Sequence, residues 1–246
     1  MINLLFILHK QFINDFGPLY FEFQPDAYIK EPWNAFSSLF FLIPVIYWVW
    51  KLRGSYKKYL IITALLPLLF LNGIGSTLYH AFRASNVFLF LDSIPAALMN
   101  LLLAGYMWYK LLRNPWKAAG IVALFYVSGI AAMFILHKWF TVGSANIFYF
   151  MVGICIFTPT IIYLTKTKFY KWKLLASTVL LLSFALLFRS LDHPSQNFLL
   201  EILPMGTHFL WHIFSALAVF TFGYYIWYNI CRESGEKDNS SDVKTF

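Results

Sequence analysis

Two histidines, His208 and His212, stand four residues apart in GTHFLWH, at the head of a long apolar run. A third, His80, closes the stretch STLYH, four residues after Ser76. On a helix, residues at i and i+4 share a face, so each pair projects to one side. Three imidazoles from two helices can occupy three corners of a tetrahedron around zinc and leave the fourth for water. That is the pattern of catalytic rather than structural zinc. Asp92, in LDSIP, is a carboxylate set in apolar sequence. Asp92 and Ser76 would then hydrogen-bond the water or orient the ligands.

Other chemistries use the same residue types. An isolated H-x-x-x-H on a membrane helix serves interhelical hydrogen bonding. Haem fits poorly, because ligands at i and i+4 point the same way and cannot take opposite faces of a porphyrin. A Ser–His–Asp nucleophile triad can be drawn from Ser76, His80 or His208, and Asp92. The choice turns on whether the elements carrying these residues bring them to one depth.

Those elements are membrane spans. Of the 246 residues, 60% are hydrophobic and only 12% charged, against roughly 25% charged in a soluble domain. Near-uncharged runs of spanning length fall at Ala35–Trp50, Tyr59–Phe82, Val87–Tyr109, Ala118–Leu136, Ala145–Leu164, Leu174–Phe188 and Leu203–Cys231. The first and sixth are short and borrow flanking residues. Lipid offers no partner to open backbone, so the runs are predicted as helices. The fold class is an all-α membrane protein, a bundle of seven transmembrane helices. An N-terminal outer segment covers 1–34, the helical domain 35–231, and a polar tail, expected to be disordered, 232–246. The opening MINLLFILHKQF reads as an interfacial helix rather than a cleaved signal. Cys155 and Cys231 imply no disulfide framework.

The net charge of +8 is arranged by side. Fourteen of the 19 basic residues follow the first, third and fifth spans or lie in the tail, for example Lys51, Lys110, Lys166 and Arg232. Lys10, Lys30, Arg83, Lys138 and Arg189 make up the other side. The positive-inside rule puts the N-terminus outside and the C-terminus in the cytoplasm. The charge is thus a topology signal, and no nucleic-acid partner is implied. Within the seven runs there is no Lys or Arg, and Asp92 is the sole carboxylate. Ionisable groups in lipid mark functional or paired sites. Ser76 and His80 end an outward-running span, Asp92 begins an inward-running one, and His208 and His212 begin another. All five are expected in one outer layer, which favours the metal. Arg189 and Asp192, at the outer end of the sixth span, read either as a boundary anchor with its own salt bridge or as a headgroup contact under the loop 190–202. His193 is expected in solvent, and His9 and His137 are expected to be structural.

The combination of S-x-x-x-H, LDSIP and H-x-x-W-H-I resembles the signatures of the alkaline ceramidase family. That family sits in the CREST group of seven-span hydrolases, which includes the adiponectin and progestin receptors. FRSLDHP together with LPMGTHFLWHIFSAL is similar to bacterial members, and the likeness runs from EPWNAFSS (31–38) through the last span. The resemblance implies a zinc-dependent amidase that cleaves the N-acyl bond of ceramide-like lipids, giving a sphingoid base and a fatty acid. It also implies a bacterial inner membrane. His80, His208 and His212 match its zinc ligands, Asp92 the aspartate facing the water, and Ser76 the serine beside it. Trp211 matches a tryptophan near the lipid's polar head. Glu31, in EPWN, matches a glutamate of a calcium site in animal members, whose other ligands come from an acidic, aromatic stretch upstream. Here that stretch is YFEFQPDAY, different in spacing and sequence, with Glu22 and Asp26 as its acids.

On this reading zinc activates a water and polarises the amide carbonyl. Asp92 takes the water proton and returns one to the leaving amine, and Ser76 hydrogen-bonds the developing oxyanion. Ser76 as a covalent nucleophile is the other mechanism. Two further function classes use the same sequence: a receptor-like protein with a structural zinc, which would tolerate loss of Asp92, and a small-ion carrier, which would need a polar path the spans lack. The basic asymmetry makes a direct prediction. A reporter fused after Phe246 is expected to be active only when cytoplasmic, and activity on the opposite side would invert the bundle.

Overall fold

A computed structural model describes residues 15–136, 144–192, 199 and 202–235. His9, His137, His193, the opening MINLLFILHKQF and most of the polar tail fall outside them. The described residues contain no strand and form seven helical spans long and apolar enough to cross a membrane. The expected fold class holds.

The first span is built in pieces: α1 (Pro32–Ser38), a single 3-10 turn (Leu39–Phe41) and α2 (Leu42–Lys51). Pro44 explains the break. It has no N–H, and its ring clashes with the carbonyl four residues earlier, so the turn before it tightens instead of running on as α-helix. Pro32 opens α1 at its first turn, where a missing N–H costs nothing. The first-turn N–H groups of Trp33 and Asn34, which have no partner within the helix, are met by the Glu22 carboxylate, reaching in from the preceding segment. Burial pushes that carboxyl up to about 7, while the two N–H donors pull it back.

The remaining spans are α3 (Leu60–Phe82), α4 (Asn86–Leu112), α5 (Pro115–Leu136), α6 (Ser144–Lys166), α7 (Trp172–Leu191) and α8 (His208–Glu233). The last begins five residues later than the apolar run suggests. Gly206 is left-handed at φ +80°, and a Cβ there would collide with the Asp192 carboxylate. That carboxylate accepts the N–H groups of Thr207 at 2.7 Å and His208 at 3.0 Å. It therefore caps α8 from outside the helix. The sequence suggests a salt bridge between Asp192 and Arg189; the backbone takes Asp192 instead, and burial pushes its carboxyl up to about 6. At its other end α8 runs on to Glu233, past the expected start of a disordered tail at 232, and Glu233 pairs with Lys110 at 3.2 Å.

The helices pack most extensively as α3 on α4 and α7 on α8. The α3–α4 crossing places the polar residues. Pro95 removes the donor that would bond the Leu91 carbonyl within α4. That carbonyl lies against Gly75 of α3, closely enough that a Cβ on Gly75 would clash with it. One residue further along each helix come Ser76 and Asp92, so the LDSIP proline and Gly75 together set these two side by side. Asn72 donates to the Asp92 backbone carbonyl and holds the same crossing. Beneath this layer lies an apolar cluster of Phe41, Val45, Leu69, Met99 and Ala216. A larger one around Trp48, Leu52, Trp108 and Tyr225 fills the rest. Cys155 and Cys231 are buried and unbridged.

Gly75→Ala is expected to lower the thermal unfolding midpoint of the detergent-purified protein, by an overpacking cost of about 1–3 kcal/mol. Gly120, in α5, has nothing near its missing Cβ, so Gly120→Ala is the control. Equal midpoints in the two variants would show that the α3–α4 crossing is loose.

Candidate metal centre

His80 ends α3, while His208 and His212 occupy the first two turns of α8. All three are buried, with exposures of 0%, 2% and 2%. Each offers one ligand atom, and these atoms lie within 4.8 Å of one another; this is the one metal-capable group of three or more among the described residues. Ring centroids are separated by 4.7 Å (His208–His212), 4.9 Å (His80–His212) and 5.3 Å (His80–His208).

The second ring nitrogens explain how the lone pairs are aimed. His80 Nδ1 meets Glu31 Oε2 at 2.5 Å; a carboxylate accepts, so Nδ1 carries the hydrogen and Nε2 the lone pair. His80 Nε2 is buried and has no hydrogen-bond partner among the described residues. His212 Nδ1 lies 2.9 Å from Ser37 Oγ and 3.2 Å from Ser38 Oγ. The Ser37 hydroxyl donates to the Asn34 carbonyl at 3.1 Å, and the Ser38 hydroxyl donates to Ser76 Oγ at 3.0 Å. With both hydroxyl hydrogens directed away from the ring, His212 Nδ1 is the donor and Nε2 is left for a ligand. His208 keeps a buried, unpartnered Nδ1 and stacks on Tyr20 at 3.9 Å. Buried polar atoms without partners are rare, and two of them in one cluster of imidazoles fit a bound cation. Three nitrogen donors with outer-shell carboxylate and hydroxyl support suit zinc.

Glu31 is fully buried, and its other oxygen accepts from Arg83 Nη1. Burial pushes the Glu31 carboxyl up to about 7 against the pull of Arg83. Arg83 in turn grips Asp15 through two bonds of 2.9 and 3.0 Å and donates to the Pro18 carbonyl at 3.0 Å. It leaves α3 in the left-handed conformation, φ 48°, which turns the chain at the helix end. The partners of Glu31 are therefore an imidazole, a guanidinium and, at 3.4 Å, the Asn34 side-chain amide. Of the acids upstream, Glu22 bonds the start of α1 and Asp26 is exposed. These carboxylates do not gather into a cation site of their own among the described residues.

Ser76, one turn below His80 on the same face, accepts from Ser38 Oγ at 3.0 Å and is in hydrogen-bonding reach of the Asp92 carboxylate. A polar chain thus runs Asp92–Ser76–Ser38–His212 from α4 to α8. Trp211, between the two α8 histidines, faces Tyr149 at 5.6 Å.

The ceramidase family model matches residues 22–245. The chain belongs to the ceramidase family. A search of the curated proteins finds no match. Membership makes this ceramidase-family chain a hydrolase acting on amides, with a lipid substrate, and its seven apolar helices are compatible with integration in a membrane. The match extends over every residue of the histidine cluster and its supports except Asp15, Pro18 and Tyr20.

Helical spacing in the sequence places the histidines, Ser76 and Asp92 but misses what supports them. Ser37 and Ser38 stand in plain view in EPWNAFSS, yet nothing in that stretch names their partner. Arg83 counts only as one of the few basic residues on its side, and Tyr20 and Asp15 carry no signal at all.

Metal analysis tests the cluster. Purified protein is expected to hold about one zinc per chain, as a three-histidine site would, and His208→Ala/His212→Ala to hold none. Glu31→Gln is expected to weaken zinc affinity by about 10–100-fold, the scale for losing an outer-shell partner. Full retention in the double variant would remove the site.

Proposed function

We propose that this protein is a zinc-dependent ceramidase that hydrolyses the N-acyl bond of ceramide-like lipids to a sphingoid base and a fatty acid. The observation that carries the reading is the pairing of unpartnered nitrogens on His80 and His208 with a nearby acid, Asp92, which is half-buried and linked through Ser76 and Ser38 to the third imidazole, His212. A structural zinc needs no such acid.

Zinc bound by His80, His208 and His212 would supply Lewis acidity, polarising the amide carbonyl and easing loss of a proton from water. The protein's own residues do the rest. Asp92 accepts the proton that water gives up on attacking the carbonyl carbon. It then delivers a proton to the nitrogen as the C–N bond breaks, leaving a carboxylic acid and an amine. Ser76 holds the Asp92 carboxylate in place and has its own lone pair fixed by the Ser38 hydroxyl. Glu31 fixes His80 in one tautomer by accepting its Nδ1–H, and the two serines do the same for His212. Tyr20 closes over His208, so the N-terminal segment forms the roof of the site.

The lipid enters sideways, between apolar helices, from the outer leaflet. That placement rests on the basic residues at the opposite end of the bundle. Several sit there on aromatic faces, such as Lys51 over Trp227 at 4.3 Å and Lys171 over Tyr228 at 3.9 Å.

Two readouts on one preparation test the reading: metal content, and lipid-amide hydrolysis monitored by mass spectrometry across a panel of N-acyl lipids. Asp92→Asn keeps shape but loses the base. It is expected to retain zinc and to lose turnover by about 100-fold or more, the scale of a positioned acid–base group. Ser76→Ala is expected to be milder. Near-wild-type turnover in Asp92→Asn would remove the acid–base role, and loss of zinc with activity would make Asp92 a support of the metal.

A further inference from the structure

Two arginines stand near the histidine cluster, and their surroundings are opposite. Arg83 is saturated by Asp15, Glu31 and the Pro18 carbonyl. Arg189, in the last turn of α7, has no carboxylate within ion-pair distance among the described residues. Asp192, three residues on, has both oxygens on the backbone N–H groups of Phe21, Thr207 and His208.

Arg189 lies instead between two rings. Its guanidinium carbon is 4.9 Å from the Tyr149 centroid and 5.1 Å from that of Trp211. Tyr149 belongs to α6, Arg189 to α7 and Trp211 to α8, so three helices converge on one cation, and all three side chains are half-buried. The site adjoins the histidine cluster, because Trp211 sits between His208 and His212. Arg189 also reaches the Tyr20 hydroxyl, and its charge bears on Asp92 and on each of the three histidines.

A cation in apolar surroundings normally carries a counter-charge. Aromatic faces offset part of the desolvation but occupy the flat sides of the guanidinium. Its five N–H donors lie in the plane, in a fork that matches the two oxygens of a carboxylate or phosphate. We propose that Arg189 is the anion-recognition residue of the site, and that its missing counter-charge is an oxyanion on the lipid. This assignment rests on the lipid-amidase reading for the kind of lipid. The oxyanion has two sources. It belongs to the amine half of the substrate, as a carboxylate or phosphate beside the scissile amide, or it is the carboxylate of the fatty acid that hydrolysis releases.

The experiment uses zinc-loaded, full-length protein in detergent, comparing wild type with Arg189→Gln and Arg189→Lys at alkaline pH. The first arm measures binding of oleate and of oleyl alcohol by thermal stabilisation. Any attraction of the carboxylate to zinc is common to all three proteins, so the change between them reports Arg189. The preference for oleate over the alcohol is expected to fall by about 10-fold or more in Arg189→Gln, the scale of a lost charge-assisted hydrogen bond, and to recover in part in Arg189→Lys. The second arm compares kcat/KM for N-oleoylglycine, which is anionic, with that for a neutral N-oleoyl sphingoid base. A lower anionic-to-neutral ratio in Arg189→Gln identifies the headgroup as the source. An unchanged ratio together with weaker inhibition by oleate identifies the released acid.

An unchanged oleate preference together with an unchanged substrate ratio would overturn the proposal. So would equal losses for charged and neutral ligands with zinc retained, since that would make Arg189 a counter-ion of Asp92 or a packing element. If the wild type cleaves no N-acyl lipid, the amidase reading fails alone, and the binding arm still decides on Arg189.

Discussion

The bond between Glu31 and His80 holds the rest of the site in place. A buried imidazole can serve as a ligand only if its lone pair is turned the right way, and the carboxylate on Nδ1 secures that by fixing the tautomer and the ring. A carboxylate buried to that degree needs its own compensation, which Arg83 provides; Arg83 needs Asp15 in turn. Removing one member of such a buried pair leaves an unmatched charge at a cost of about 3–5 kcal/mol. The chain of dependence therefore runs from the cluster out into the N-terminal segment. It fixes how residues 15–31 lie across the bundle end, where the N–H groups of Lys30 and Glu31 bond the Ala81 and His80 carbonyls at 2.8 and 3.1 Å.

The buried acids at this end divide by availability. Glu22, Glu31 and Asp192 each have both oxygens engaged by fixed donors: backbone N–H groups for Glu22 and Asp192, an imidazole and a guanidinium for Glu31. They shape the protein and have little left to offer a reacting molecule. Asp92 differs, with a hydroxyl neighbour and half-open surroundings. A group that must take up and release a proton needs that freedom, so the carboxylate with the fewest fixed partners is the one suited to chemistry.

Helical periodicity made part of the site legible in the sequence. Spacing placed His208 with His212 and Ser76 with His80, and the alternation of spans brought the two pairs and Asp92 to one depth. Contacts made by irregular segments have no period, and they are where sequence and structure part. Glu31 matches a calcium ligand by resemblance, and its partners in the structure are a histidine and an arginine. Asp192 has the spacing of a partner for Arg189 and caps α8. The apolar run of the last span begins at Leu203, whereas the helix waits for the left-handed turn at Gly206 and the Asp192 cap. In each case the deciding partner lies outside the local helix, and for Glu31 and Asp192 one partner lies far along the chain. The separation is 52 residues between Glu31 and Arg83 and 171 between Phe21 and Asp192.

The cap on α8 bears on how the protein is made. Asp192 joins the N-terminal segment, the end of α7 and the first turn of α8, and two of the three histidines lie in the opening turns of that helix. During synthesis the spans carrying Glu31 and His80 emerge first, and the three-histidine group has no second or third member until the seventh helix has been made and has docked. The order of translation thus makes the last helix the one that completes the group.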